Sequence, residues 1–172
     1  RKIYSQGFLY VLNGLENHTL DIFYKFNIIP ILVSEKELNE LFKSNYYNKK
    51  NFKFGIQIDT GINRLGIQIE NLDKKIAKNL NLHILVSHLA SSDEIKNPFN
   101  NDQNNKFKSV FQLFKSIKYK SLSNSAATIS NKKYHYDLIR PGISVYGGYE
   151  NKKLKNLLPI NHIITLKAKI LQ

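Results

Sequence analysis

Short apolar runs alternate along this chain with stretches of helical spacing. "GFLYVLNG" (7–14), "IIPILV" (28–33), "FKFGIQI" (52–58), "HILVSHLA" (83–90), "YKSLSNS" (119–125) and "ISVYGG" (143–148) each read as a strand closed by a polar or Gly-containing turn. Between them, Leu20, Phe23 and Tyr24 fall on one helical face, and Asn27 supplies a stop. Ser34 and Glu37 have the spacing of a capping box ahead of Leu38, Leu41 and Phe42. Leu72, Ile76 and Leu80 mark a third helix. Phe107, Val110, Phe111 and Phe114 define a fourth, strongly amphipathic one, and a short fifth begins at Ser125.

Strands that alternate with helices predict βαβ units and a parallel α/β sheet. The strands are nearly continuous in apolar residues, as cover on both faces requires. Six units are visible, where a closed eightfold barrel needs about two more. After Gly148 the pattern changes. Residues 1–149 read as the sheet domain and residues 150–159 as a polar linker. "INHIITLKAKILQ" (160–172) reads as the first strand of a second, β-type domain.

Composition narrows the class. An apolar fraction of 42% over 172 residues supports a folded core. No apolar run is long enough to span a membrane, and no secretory signal is visible. Without cysteine there is neither a disulfide framework nor a thiolate metal site, which suits the cytoplasm. Without methionine, even at position 1, the chain reads as an internal piece of a longer protein.

The net charge of +13 first suggests nucleic acid, but the basic residues are 23 Lys and only 3 Arg, beside 21 Asn. Nucleic-acid readers depend on the planar arginine fork, so the excess reads as compositional bias and no nucleic-acid partner is expected. The same bias makes Arg64 and Arg140 informative. Both sit beside Gly-containing turns after apolar runs. Each either serves a ligand that needs a permanently charged fork or pairs structurally with Asp59 or Asp137.

Polar groups gather where the predicted strands end, which is where α/β folds place their chemistry. These are Asp59-Thr60-Gly61 with Arg64, Ser87-His88, Ser123-Asn124-Ser125, and Asp137 with Arg140 and Gly142. Singly they are ambiguous. His88 reads equally as a packed or a functional histidine, Asp93 and Glu94 as acids in a first helical turn, and Asn124 as a helix cap. Together, a capped helix start at Ser125 and backbone N–H groups after Gly142 suit a phosphate, flanked by two arginines and a histidine. No metal-binding motif, Walker loop or GxGxxG is present.

The same residues resemble the blocks of the alanine racemase family, fold-type III pyridoxal-phosphate enzymes. "LYVLNGL" (9–15), "IIPILVSEKEL" (28–38), "DTGINRLGI" (59–67), "SHLASSDE" (87–94), "SLSNSAATI" (121–129), "DLIRPGISVYGG" (137–148) and "ITLKAKILQ" (164–172) follow the family's order. The resemblance implies a parallel (β/α) barrel of TIM type, incomplete here, with pyridoxal 5'-phosphate at the strand ends and a β-domain after it. It implies a homodimer that interconverts L- and D-alanine by two-base proton transfer at Cα, supplying D-alanine for peptidoglycan. By motif, Ser125, Gly142 and Ile143 would hold the phosphate and Asn124 would lie beside it. His88 would lie against the cofactor ring, and Arg140 would face its pyridine nitrogen. Arg64 would reach the phenolic oxygen and the substrate carboxylate.

Three departures stand out. No "KANAYGHG"-type block is present to carry the Schiff-base lysine. The second base, a tyrosine from the β-domain of the partner subunit, also lies outside these residues, so the isolated chain is expected to be inactive. With two barrel strands missing, its exposed sheet edges and core side chains are expected to make it aggregate. Gln57 stands where many members have a carbamylated lysine. The alternatives are a non-catalytic pyridoxal-phosphate-binding barrel and a racemase of another amino acid.

Overall fold

Five strands lie side by side in the order in which the chain makes them. The structure, a computed structural model, describes residues 6–15 and 20–169. The strands are β1 (Leu9–Val11), β2 (Ile28–Leu32), β3 (Gly55–Asp59), β4 (Ile67–Gln68), β5 (Asn81–Val86) and β6 (Ser116–Ser121). All pairs are parallel, in the order β1-β2-β3-β5-β6, with two-residue β4 paired to the end of β3.

The helices are α1 (Leu20–Lys25), α2 (Glu35–Lys43), α3 (Lys74–Ala77), α4 (Phe99–Ser109) and α5 (Ser125–Ser130). Phe23, Leu38, Leu41, Ala77, Phe107 and Ala127 from these helices share one core with Leu32, Ile56, Ile58 and Leu85 from the sheet. Ile31, Ile84 and Val86, with Tyr10, Tyr119 and Leu138, form a separate, smaller cluster. Parallel strands in chain order with helices packed against them make a parallel α/β sheet, an arrangement consistent with part of a (β/α) barrel.

Local sequence explains several joints. Asn27 takes the left-handed conformation (φ 51°) just after α1, the stop its position predicts. Ser34 Oγ accepts from Glu37 N at 3.3 Å, half of a capping box. The other half is redirected: the Glu37 carboxylate accepts from Val33 N at 2.7 Å and from Leu15 N at 2.8 Å. One acid thereby starts α2 and pins the loop after β1. Gly55 is required by close approach, because a Cβ there would lie 2.5 Å from Ile84 Cγ2 and 2.7 Å from Ile31 Cδ1.

The structure corrects some expectations. Residues 143–148 are not a sixth strand. Ile143–Tyr146 is a 3₁₀ turn closed by Gly147 at φ 86°, and Ile143, Val145 and Tyr146 are exposed. The main path of the sheet therefore has five strands rather than six. α4 ends at Ser109, and Phe111–Leu113 forms a separate 3₁₀ turn. α3 has only four residues. Asp93 and Glu94 precede α4 by a turn-rich segment and are not in its first turn.

Residues 150–159 are docked: Lys152–Asn156 forms a 3₁₀ turn with Leu154 fully buried. Residues 160–169 carry no regular structure, and Leu166 is 94% exposed. His18 and residues 170–172 of the final run lie outside the described residues.

Candidate functional site

Parallel strands bring their C-terminal ends to one edge of the sheet, and the loops beyond them converge. β3 runs into Thr60, β5 into Ser87 and His88, and β6 into Ser123, Asn124 and Ser125. Thr60 Oγ1 and Ser87 Oγ lie 2.8 Å apart, both buried.

Arg140 crosses this edge. Its Nη2 donates to the Ser87 carbonyl at 2.6 Å, its Nη1 donates to Ser121 Oγ, and its backbone N donates to the Ser123 carbonyl at 2.9 Å. Ser121 Oγ in turn donates to the Leu138 carbonyl at 2.7 Å. No carboxylate among the described residues partners Arg140. Asp137 instead meets Lys120, accepting from its backbone N at 2.8 Å and lying 3.6 Å from its ammonium. Burial pulls the Arg140 guanidinium down to about 10, still protonated at neutral pH.

His88 sits in the field of both arginines. Burial, then Arg140, then Arg64, push its imidazole down to about 4, so it is neutral at pH 7.

Arg64 is presented by two side chains of β3. Asp59 Oδ1 accepts from the backbone N of Gly61 (2.8 Å), Ile62 (3.0 Å) and Asn63 (3.3 Å), while Oδ2 accepts from Gln68 Nε2 at 3.1 Å. On the far side of Arg64, Gln57 Nε2 donates to the Leu65 carbonyl at 2.7 Å. Gly66 (φ 126°) then lets the chain fall back against β3, where a Cβ would lie 2.7 Å from Asp59 N. The arginine is exposed, with no carboxylate partner among the described residues. The structural pairing with Asp59 is therefore absent: Asp59 spends its oxygens on backbone amides and Gln68.

The predicted cap is real. Asn124 Oδ1 accepts from Ala127 N at 3.1 Å, and also from Ser92 Oγ at 2.8 Å. Ser125 Oγ accepts from Gly142 N at 2.7 Å and from Ser144 N at 3.3 Å, which joins the α5 start to the turn containing Ile143. A carboxylate already rests there: Glu150 Oε1 accepts from Ala126 N at 3.2 Å. Among the described residues, Ser123 Oγ and Asn100 Oδ1 are the buried side-chain polar atoms with no hydrogen-bond partner.

Residues 125 and 142 are thus in direct contact, Arg140 is anchored to the ends of β5 and β6, and His88 feels both arginines. Sequence reading missed Thr60, Ser87 and Ser121 as bonded partners, and it missed Gln103 of α4, whose amide reaches Thr60 and the His88 carbonyl. Among the described residues no cluster could hold a metal ion, and no helix is long and apolar enough to cross a membrane.

Comparison with known proteins places the sequence and the fold in one family. The family model described as "Alanine racemase, N-terminal domain" matches residues 1–150. An alanine racemase from Rickettsia canadensis (strain McKiel) is 40% identical over 168 residues, covering 94% of this chain and 44% of that protein. The chain thus spans less than half the length of this relative. Among solved structures, alanine racemase from Bartonella henselae, which carries covalently bound pyridoxal phosphate, matches with a TM-score of 0.74 at 29% identity. It covers 84% of this chain and 43% of that one. Biosynthetic alanine racemase from Pseudomonas aeruginosa shares the fold with a TM-score of 0.78 at 22% identity over 93% of this chain and 46% of its own.

Proposed function

The chain belongs to the alanine racemase family, whose N-terminal domain it contains, and we propose that the whole protein interconverts L- and D-alanine with pyridoxal 5'-phosphate as its cofactor. The observation that carries this reading is Arg140, protonated at neutral pH and anchored to the ends of β5 and β6 beside a neutral His88. The residues present fit the cofactor. The Glu150 carboxylate on Ala126 N is an anion held at the α5 start, and Ser125 with Gly142 lies beside it. The unpartnered Ser123 hydroxyl leaves hydrogen-bonding capacity in the same segment.

When bound, the cofactor supplies an electron sink that acidifies the Cα–H of an attached amino acid. Ser125, Gly142 and Ile143 would hold the phosphate, with Asn124 fixing the start of α5. His88, being uncharged, supports the ring face without competing for the phosphate. Arg140, lowered to about 10 yet still protonated at neutral pH, would face the pyridine nitrogen as a donor that gives up no proton there and so would leave that nitrogen unprotonated. Arg64, held without a carboxylate of its own, is free to meet the substrate carboxylate.

The two proton-transferring groups, a lysine and a tyrosine, are not supplied by the matching motifs of these residues. The reaction is therefore assigned to the whole protein, as a cytoplasmic homodimer that supplies D-alanine for peptidoglycan, and the isolated chain is inactive.

The test is to incubate the full-length protein with L-alanine and the cofactor in ²H₂O. Chiral analysis would follow D-alanine, and NMR would follow deuterium at Cα. D-Alanine that appears together with Cα exchange supports the reading. Cofactor binding without exchange of any amino acid would favour a binding role instead, and exchange confined to another amino acid would reassign the substrate.

A further inference from the structure

The buried face of α4 is made largely of amides. Asn100, Gln103, Asn104 and Phe107 follow at helical spacing, and all four are buried. Asn100 Nδ2 donates to the carbonyls of Ser91 (3.0 Å) and Glu94 (3.1 Å), and Asn104 Oδ1 accepts from Tyr136 Oη at 2.5 Å. The helix thus packs onto the sheet with Phe107 and reaches into the site loops with its amides.

Gln103 is the central member and has no exposed surface. Its Nε2 donates to Thr60 Oγ1 at 3.2 Å and to the His88 carbonyl at 3.0 Å, and its Oε1 accepts from Ala90 N at 2.8 Å. These three bonds use both N–H groups and the carbonyl. The last two grip the backbone on either side of Leu89, which fixes the path of the chain at His88. The first ties that turn to the loop of Thr60, four residues before Arg64.

We propose that Gln103 is a positioning residue that sets His88 against the cofactor and holds the His88 and Arg64 loops in register. A glutamate could not donate both bonds, and a leucine would fill the space while removing the side-chain partner of the His88 carbonyl and of Ala90 N. The proposal rests on the reading of His88 as a cofactor-facing residue, and the experiment separates the two.

In the full-length protein, the affinity of the cofactor-free form for pyridoxal 5'-phosphate is measured by absorbance titration for Gln103→Leu, His88→Ala and Phe107→Leu. The His88 pKa is followed by NMR in the first. Gln103→Leu is expected to weaken binding by about tenfold and to move the His88 pKa back toward its ordinary value. Phe107→Leu, which loosens the same helix face but removes no hydrogen bond to these loops, is expected to lower the melting temperature and leave affinity within about twofold.

If His88→Ala weakens binding and Gln103→Leu does not, the positioning role is overturned and the function stands. If Phe107→Leu weakens binding as much as Gln103→Leu, the effect is general loosening and the role is again overturned. If His88→Ala has no effect, the reading of His88 falls and the proposal falls with it. Should Gln103→Leu fail to fold, hydrogen exchange at Ala90 N–H in the unaltered protein decides: protection supports the bond to Gln103, and exchange at the rate of an open loop overturns it.

Discussion

The guanidinium of Arg140 donates to the carbonyl of Ser87 at 2.6 Å, across 53 residues of sequence. Its second nitrogen bonds Ser121, and Ser87 shares a hydrogen bond with Thr60. One fork therefore completes a polar chain over the ends of β3, β5 and β6. Lysine offers a point charge on a flexible stem and cannot hold both ends in a fixed plane. Arg140→Lys is expected to lose about 1–3 kcal/mol of stability, the range for a charged hydrogen bond lost with its buried partner left unmet. Urea unfolding of the full-length protein measures it. A variant as stable as the parent would show that the fork does not brace the strand ends.

Gly55 lets Ile31 and Ile84 close over β3. A side chain at this position meets Ile84 Cγ2 and also the Ile84 carbonyl, at 2.6 Å, so the adjacent strand itself would have to shift. Gly55→Val is expected to destabilise by about 1–3 kcal/mol through overpacking. Gly7 is a natural comparison, because its φ is positive but a Cβ there would have nothing within 4 Å. Gly7→Ala is expected to cost less, since it adds backbone strain without a collision. Equal losses in thermal denaturation would show that the approach of Ile84 is not what demands glycine.

The strands were legible where both faces are covered. The run 28–33 is β2 at Ile28–Leu32, and 52–58 overlaps β3 at Gly55–Asp59. "ISVYGG" misleads because hydrophobic pattern reports what wants burial and not what is available to bury it. Ile143, Val145 and Tyr146 are exposed, and the chain curls into a 3₁₀ turn. In the site, Arg140 and the Asn124 cap were legible from residue type beside turn signals. Gln103 was not, because a polar residue in a helix reads as solvent-facing. The available signal was its place three and four residues from Asn100 and Phe107, on the same buried face. That Arg64 has no carboxylate partner among the described residues could not be read either, since Asp59 lies near in sequence but is committed to the loop amides.

Two histidines make stability depend on pH. His83 bonds Tyr10 Oη at 3.1 Å and is pushed down to about 4 by burial and then by Lys118 and Lys53. His88 is pushed to about 4 by burial, Arg140 and Arg64. An unfolded histidine titrates near pH 6.5. Between pH 6.5 and 4 the unfolded chain binds more protons than the folded one, so stability is full above that window and falls as pH drops through it. The urea midpoint of the full-length protein is expected to decline from about pH 7 to about pH 4.5. In His83→Gln the decline should be shallower. An unchanged slope in that variant would remove His83 from the account.

Asp59 and Gln57 hold the loop on either side of Arg64, and their substitutions separate loop geometry from charge. Asp59→Ala frees the backbone amides of Gly61, Ile62 and Asn63 together. Asp59→Asn keeps one carbonyl oxygen for those amides and gives up the bond from Gln68, because its new NH₂ group faces another donor. If the loop matters because it aims Arg64 at the substrate carboxylate, Asp59→Ala should raise KM for alanine by about tenfold, or roughly 1.4 kcal/mol, with a smaller change in kcat. Asp59→Asn should recover most of that loss. Gln57→Leu, which removes the donor to the Leu65 carbonyl, should act in the same direction as Asp59→Ala. Steady-state kinetics of the three full-length variants decides. Equal impairment by Asp59→Ala and Asp59→Asn would mean that the negative charge near Arg64, and not the shape of the loop, is what Asp59 contributes.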